Sequence, residues 1–592
     1  MNTQWRRPLV LQVLFCFPWL AVLAWLATEA WFLTDDAFIS FRYARNLIEG
    51  HGLVFNPGER VEGYTNFLWV LELAALWAVL GLRPEHVAPW LSVALTVATL
   101  VVVLWWAARM PGLQQRRLVF WMALGLLCSS ATFAVWTSGG GLETRQFTFL
   151  VVLAVACLTV RADGRWGLLL ASLSLSAASY TRPEGPLIAA CCFSWFAATR
   201  LGAERGKELG RDLCWLITPF IVLVAAHFLF RYGYYGDWLP NTYYAKHVRP
   251  WYESGFRYLS AATLETGLYL WLPLAALALR TAWRERRDAR YALPLLCIVP
   301  HMAYLLRIGG DHFEYRPMDF YWPLLVIPAA AGIVDFGSVL HGCLMAVWGR
   351  AGLRRPVHVA MSAVAVFAVV LFYSSALQGA LLFEGSATIR TRVRLVHIEL
   401  GDHNAKWLFG APGMPAIAET SNRLRLEMSR QRVAAPFVEH REYANQRIGE
   451  WQEYAGMERG LIPDDALMAA EAIGIPFYYV PDLRVVDMRG LTDKTVARHP
   501  VTTPNAERVI AHDRTPPPGY LEQRGVNFSI GPSARTAEEA VRAFEYAVLF
   551  GPDLWMPFDS PDRSWVVLRF GEEIVVRRDG RGTLHMIGLQ LP

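Results

Sequence analysis

The chain has 592 residues, 54% of them hydrophobic and only 18% charged, with a formal net charge of +5 and a mean hydropathy of +0.26. Soluble proteins are nearer a quarter charged, so an ordinary soluble globule is excluded, and no nucleic-acid partner is expected. The reading is a polytopic α-helical membrane protein over residues 1–380, where apolar blocks have membrane-spanning length. A soluble α/β domain of ordinary charge and proline density follows over 381–592.

Arg6-Arg7 precedes the apolar run 8–28, which is too long for a signal peptide and lacks a small-x-small cleavage site. It reads as a retained first span. The first outer loop, 31–86, opens on two adjacent carboxylates, Asp35 and Asp36. Residues 36–46 are predicted to form an amphipathic interfacial helix, with Phe38, Phe41 and Arg42 at helical spacing. On residue chemistry alone Asp35 reads as an ordinary N-cap with Asp36 beside it, helped by the helix dipole. The block 67–82 carries Glu72 and reaches only about 24 Å, so it reads as a juxtamembrane or re-entrant helix that does not cross.

Ten further spans are predicted at 87–108, 118–136, 147–160, 166–180, 186–199, 213–230, 267–279, 291–306, 321–348 and 357–377, giving about 11 in all. The block 321–348 is overlong and holds Asp335, so its second half is expected to lie along the cytoplasmic surface. With the N-terminus inside, inner segments carry nineteen basic against six acidic residues, and outer loops twelve against fifteen, leaving out Glu72. That is the positive-inside pattern. An odd number of spans puts the soluble domain outside, with every polar cluster of the membrane half.

Four clusters follow the first loop. Thr137-Ser-Gly-Gly-Gly-Leu-Glu143 offers glycine amides that can cradle an anion, or is a plain loop. Thr181-Arg182-Pro-Glu184-Gly185 is a tight turn in which Arg182 can simply pair with Glu184. Residues 231–247 are rich in belt aromatics but carry Lys246, a cation on the cation-poor side. The last cluster, 307–316, brings Asp311, His312 and Arg316. A divalent cation held by Asp35, Asp36, Asp311 and His312 is a further reading, without any ligand spacing behind it. All eight cysteines lie in the membrane half and read as buried free thiols.

Several stretches resemble bacterial membrane glycosyltransferases of the C superfamily (GT-C). They are Asp35-Asp-Ala-Phe-Ile-Ser-Phe-Arg-Tyr-Ala44, Gly52-Leu-Val-Phe-Asn-Pro-Gly-Glu-Arg-Val-Glu-Gly-Tyr-Thr-Asn66, Thr137 to Glu143, Arg182-Pro-Glu-Gly185, and Tyr235-Gly-Asp-Trp-Leu-Pro-Asn-Thr-Tyr-Tyr-Ala-Lys246. Within that superfamily the mycobacterial-type terminal arabinofuranosyltransferases are most similar. The soluble segments Ala472 to Val480 and Val486 to Asp493 are similar to that group as well. One departure is the glycine triplet, where the family shows a shorter Ser-Gly-Leu-Glu.

The resemblance implies a polyprenyl-phosphate sugar donor, a cell-envelope glycan acceptor, and a multi-pass protein of the plasma (inner) membrane acting on its outer face. The sugar it implies is D-arabinofuranose. It places the catalytic aspartate at Asp35 or Asp36 and favours Asp35, the first of the pair. Lys246, Arg182 and Arg316, in that order, are the phosphate candidates. Glu143, Tyr243, Asn241, Asp311, His312, Tyr64 and Asn66 are further donor- or substrate-binding candidates. A mannosyl or other pyranosyl transferase is the alternative, and a lipid-linked glycan transporter a more distant one. In the soluble half, 466–473 and 537–550 read as helical, and 477–480, 485–487, 565–569 and 573–577 as strands, the last two as a hairpin. It binds acceptor or caps the site.

Overall fold

The computed structural model describes residues 9–110, 116–160, 164–201, 206–286, 288–348, 355–388, 411–457 and 467–526, with short strands beyond. The membrane half runs α1 (Leu9–Glu29), α2 (Asp35–Ile48), α3 (Phe67–Leu80), α4 (Pro84–Arg109), α5 (Arg116–Cys128), α6 (Ala131–Val135), α7 (Thr144–Val160) and α8 (Arg165–Thr181). It continues with α9 (Gly185–Arg200), α10 (Gly206–Tyr235), α11 (Asn241–Lys246), α12 (Tyr252–Glu265), α13 (Leu268–Arg286), α14 (Ala292–Ile308), α15 (Tyr321–Trp348) and α16 (Arg355–Thr388).

Ten of the eleven apolar blocks each fall on one of these helices. The block 118–136 is divided, because the Ser130 hydroxyl accepts the Phe133 N–H at 3.3 Å and starts a new helix, α6. Among the described residues, four helices are long and apolar enough to cross a membrane alone: Pro84–Arg109, Glu208–Tyr235, Tyr321–Ala346 and Val357–Ser375. The pair Tyr252–Glu265 and Leu268–Glu285, bent by 81°, makes a fifth if taken as one span. α3 is only 14 residues long, about 21 Å. Helix α15 runs unbroken through Asp335, so no turn of the chain sets its second half apart; its side chains are buried through Val334, and Phe336, Val339 and Leu344 beyond are exposed.

Helix α2 is not the surface helix that its pattern suggests. Residues Ala37 to Ala44 are all buried, because the C-terminal half covers the side that the membrane half leaves open. Arg42, at helical spacing with Phe38 and Phe41, donates to carbonyls of Phe55, Phe477, Pro481 and Leu483.

The C-terminal half carries helices Met414–Arg430 and Phe437–Met457 and a parallel sheet of β1 (Leu467–Ala470), β2 (Arg484–Asp487) and β3 (Phe528–Ser529), ordered β2-β1-β3. Two sequence expectations are reversed here. The Ala/Leu/Met run within 466–473 has helix propensity but is the buried central strand, so sheet burial overrides local preference. The aromatic run 477–480 belongs to a helix, Ile475–Tyr479, with Pro476 in its first turn. The strand expected at 485–487 is β2. Further on, Ala547–Phe550 is a strand, not a helix, and pairs with Leu554–Pro557. Val575–Arg578 pairs antiparallel with Leu584–Ile587, while 537–546 and 565–569, the expected partner in the hairpin, fall outside the described residues.

Candidate active site

The start of α2 is fixed from both sides. Thr34, not Asp35, is its N-cap: the hydroxyl accepts the Ala37 N–H at 3.3 Å, and the Thr34 amide donates to the Gly140 carbonyl at 3.0 Å. The glycine triplet therefore packs against protein. Gly139, Gly140 and Gly141 all take positive φ (65°, 60° and 80°) and are buried, and a Cβ on Gly141 would press on Leu33 and Ala37.

On the other side lies the segment after β1. The Asp35 carboxylate accepts the backbone N–H of Gly474 at 3.1 Å on one oxygen and of Ile475 at 2.8 Å on the other. Burial is the largest influence on this carboxyl and lifts it to about 6, with the Asp36 charge adding and the two amides opposing. Among the described residues no hydrogen bond or ion pair engages the neighbouring Asp36 carboxylate.

Both aspartates line a cavity of about 730 Å³ between the two halves of the chain. Lys246, Asp311 and His312 line it from the membrane half. The C-terminal half adds Arg432, Glu439, His440, Tyr443, Arg447, Glu471, Arg489 and His512. Its floor is the carboxyl end of β1, residues 469–473, with Met488 and Arg489 just past β2. Clefts at the carboxyl ends of parallel strands are where open sheets bind ligands.

The cavity wall is held by cross-half contacts. Lys246 ends α11, whose Asn241 side chain donates to carbonyls of Gly490 (2.8 Å), Leu491 (3.0 Å) and Asp493 (3.2 Å). Arg514 holds the Tyr244 carbonyl at 2.8 Å. Among the described residues no hydrogen bond or ion pair engages the Lys246 ammonium. On the opposite wall the amides of Ala434 and Ala435 donate to the Asp311 and His312 carbonyls at 2.9 and 2.8 Å. His312 Nδ1 sits 2.9 Å from the Arg432 carbonyl, which assigns its proton there. The His440 and His512 rings lie 5.0 and 5.3 Å from it. Burial, then the His312 charge, lowers both, His512 to about 4, so both are neutral at pH 7.

The other sequence candidates are elsewhere. Arg182 is buried between Glu143 (3.1 Å) and Glu184 (2.9 Å). Asn66 donates to Glu143 at 2.9 Å and bonds Ser40. The Tyr64 hydroxyl meets that of Tyr235 at 2.9 Å. Tyr243 stacks on His247, ring centroids 5.0 Å apart. Arg316 stands just behind the wall, 3.4 Å from Asp311 and over the Phe313 ring. Among the described residues no three His, Cys, Asp or Glu side chains form a group that could hold a metal ion. Of the C-terminal lining residues, Ala472, Ile473, Pro476, Met488, Arg489 and Leu491 lie inside the family-like stretches 472–480 and 486–493, and the others escape sequence reading.

A family profile described as "Domain of unknown function (DUF8728)" matches residues 434–570. Two relatives are each named terminal beta-(1->2)-arabinofuranosyltransferase. That of Corynebacterium glutamicum is 27% identical over 349 residues, 52% of this chain and 48% of its own length. That of Mycobacterium tuberculosis is 29% identical over 370 residues, 54% of this chain and 57% of its own. The chain thus spans about half the length of the curated relatives it matches. Among solved structures, apo ArnT from Cupriavidus metallidurans aligns over 92% of this chain and 96% of its own at TM-score 0.51 and 14% identity. The fold is that of ArnT. ArnT bound to undecaprenyl phosphate aligns at TM-score 0.48 and 14% identity, over 85% and 90% of the two chains. The resemblance to the mycobacterial-type terminal arabinofuranosyltransferases holds in the two curated relatives, and the likeness to ArnT is one of fold.

Proposed function

We propose that this chain is a membrane glycosyltransferase that moves a sugar, D-arabinofuranose in the first instance, from a polyprenyl-phosphate donor to a cell-envelope glycan. The reaction takes place on the outer face of the plasma membrane. The observation that carries this reading is the convergence of the Asp35-Asp36 pair with Lys246, Arg432, Arg447 and Arg489 on one cavity, against loops of a helical bundle. Paired carboxylates facing cations suit this chemistry. The acceptor hydroxyl attacks the anomeric carbon and gives its proton to a carboxylate, and the phosphate leaves with the electron pair of the broken C–O bond. General-base help is worth about 10²–10⁴-fold. Fixed cations stabilise the charge that develops on the departing phosphate. Lys246, with no protein partner among the described residues, is the cation best placed for that phosphate.

The test uses membranes containing the full-length protein and labelled polyprenyl-phosphate arabinofuranose, and follows released polyprenyl phosphate and labelled glycan together. The Asp35→Asn/Asp36→Asn double variant is expected to lose at least about 100-fold in transfer. Full transfer by that variant contradicts the reading. A transporter would move donor without releasing polyprenyl phosphate, and a pyranosyl transferase would use a mannosyl donor in preference.

The pH dependence follows from Asp35. Its carboxyl, raised from an ordinary 3.8 to about 6 by burial first, faces Asp36, Arg447 and the two amides. Between those values the folded state holds the extra proton, so for this group stability falls as pH rises. The ionised form, which alone offers both oxygens to the amides, is lost as pH falls through about 6. Transfer is therefore expected to decline below about pH 6, while the fold gains rather than loses from this group. A flat initial-rate profile from pH 7 to 5 contradicts this assignment.

A further inference from the structure

We infer that the two adjacent aspartates divide the work. Asp36 presents the base, and Asp35 is a positioning residue through which the C-terminal domain holds the active site together. The inference rests on the transferase reading above and deepens it.

Helix periodicity separates the pair. Residues three, four and seven apart share a face, and immediate neighbours point about 100° apart. Asp35, Phe38, Arg42 and Arg45 form one stripe of α2, and every member is taken up by the segment after β1. Asp35 accepts the Gly474 and Ile475 amides. Phe38 packs edge-on to the Tyr478 ring, centroids 5.3 Å apart. Arg42 donates to the carbonyls of Phe477 and Leu483, and Arg45 to that of Tyr478 at 3.0 Å. Asp36 and Ile39, also three apart, lie off this stripe and line the cavity beside Asp35.

The two carboxylates differ accordingly. Each Asp35 oxygen already accepts a backbone N–H, whereas among the described residues nothing binds Asp36. The backbone approach at Asp35 depends on one residue type. A Cβ on Gly474 would collide with the Asp35 carbonyl oxygen and crowd its side chain. Gly474 has negative φ, at −76°, so its backbone conformation does not call for glycine. The closeness of α2 does. The geometry is that of a latch: the C-terminal domain must be docked for the start of α2, and with it the Asp36 carboxylate, to sit correctly in the cavity.

The full-length protein in membranes is assayed with polyprenyl-phosphate arabinofuranose as Asp35→Asn, Asp36→Asn, Gly474→Ala and the double variant Asp35→Asn/Gly474→Ala. Asp36→Asn is expected to lower kcat at least about 100-fold with little change in donor KM. Asp35→Asn and Gly474→Ala are each expected to lower kcat only about 10-fold, by misplacing the base. The double variant should lose no more than either alone, because both changes remove the same contact. If Asp35→Asn loses more than Asp36→Asn, or if the losses multiply in the double variant, the inference is overturned while the transferase reading survives. No release of polyprenyl phosphate by the unaltered protein overturns both. Should Gly474→Ala fail to accumulate, the order of the two asparagine variants still decides the matter.

Discussion

Replacing Arg42 by methionine is expected to undock the C-terminal half of the chain from α2 and to abolish transfer. Arg42 is buried at 1% exposure and is held by carbonyl oxygens, at 2.8 Å from Phe55, 3.3 Å from Pro481 and 3.1 Å from Leu483, besides Phe477. Its guanidinium also lies over the Phe55 and Phe477 rings. Burial, with Arg45 nearby, pulls its pKa down to about 9, so it stays cationic at pH 7. Removing it strands several buried carbonyls at about 1–3 kcal/mol each, a total of at least about 3 kcal/mol. Lysine cannot replace it, because a single ammonium does not reproduce the guanidinium fork. Limited proteolysis reads the result directly: the variant should be cut in the C-terminal half at protease levels that spare the unaltered protein. Equal resistance would mean that other contacts carry the docking.

The second large effect is expected at Arg182. Its side chain is 8% exposed and lies between Glu143 and Glu184. Through Glu143 the network reaches Asn66 and then Ser40 on α2. Arg182→Met leaves two buried carboxylates without their cation, a loss of about 3–5 kcal/mol for a broken buried pair. The midpoint of thermal unfolding should fall sharply, read with a thiol-reactive dye on the buried Cys128, Cys157, Cys192 and Cys297. If Arg182 bound the donor phosphate instead, the variant would keep its midpoint and raise donor KM. These outcomes separate the sequence-based role from the structural one.

The difference at Arg182 shows what the sequence made legible. Apolar block length marked the places of the helices, since hydrophobic length is a local property. The acidic pair, Lys246, Asp311 and His312 stood out as charge in unusual places, and they meet on one cavity. The pairing of Arg182 with Glu184, two positions on, is legible in the turn and holds, yet its other partner, Glu143, is 39 positions away and the partners of Asn241 about 250. No local pattern carries that information. β1 departs from its local propensity for a related reason: alanine, leucine and methionine favour a helix until a sheet buries them on all sides. His440 and Arg432 leave no mark, because they join the cavity only when the chain segments around 311 and 434 pair with each other, and His512 joins when the Ile510 amide bonds the Gln431 carbonyl.

The account turns on what occupies the cavity between α2 and the C-terminal sheet. The most direct measurement is an experimental structure of the full-length protein with a non-transferable phosphonate analogue of polyprenyl-phosphate arabinofuranose. The account predicts the sugar beside Asp36 and the phosphonate against Lys246, with Arg432 or Arg489 nearby. A phosphonate seated instead by Arg182 and Glu184, or a sugar with no carboxylate of the pair in reach, would contradict it.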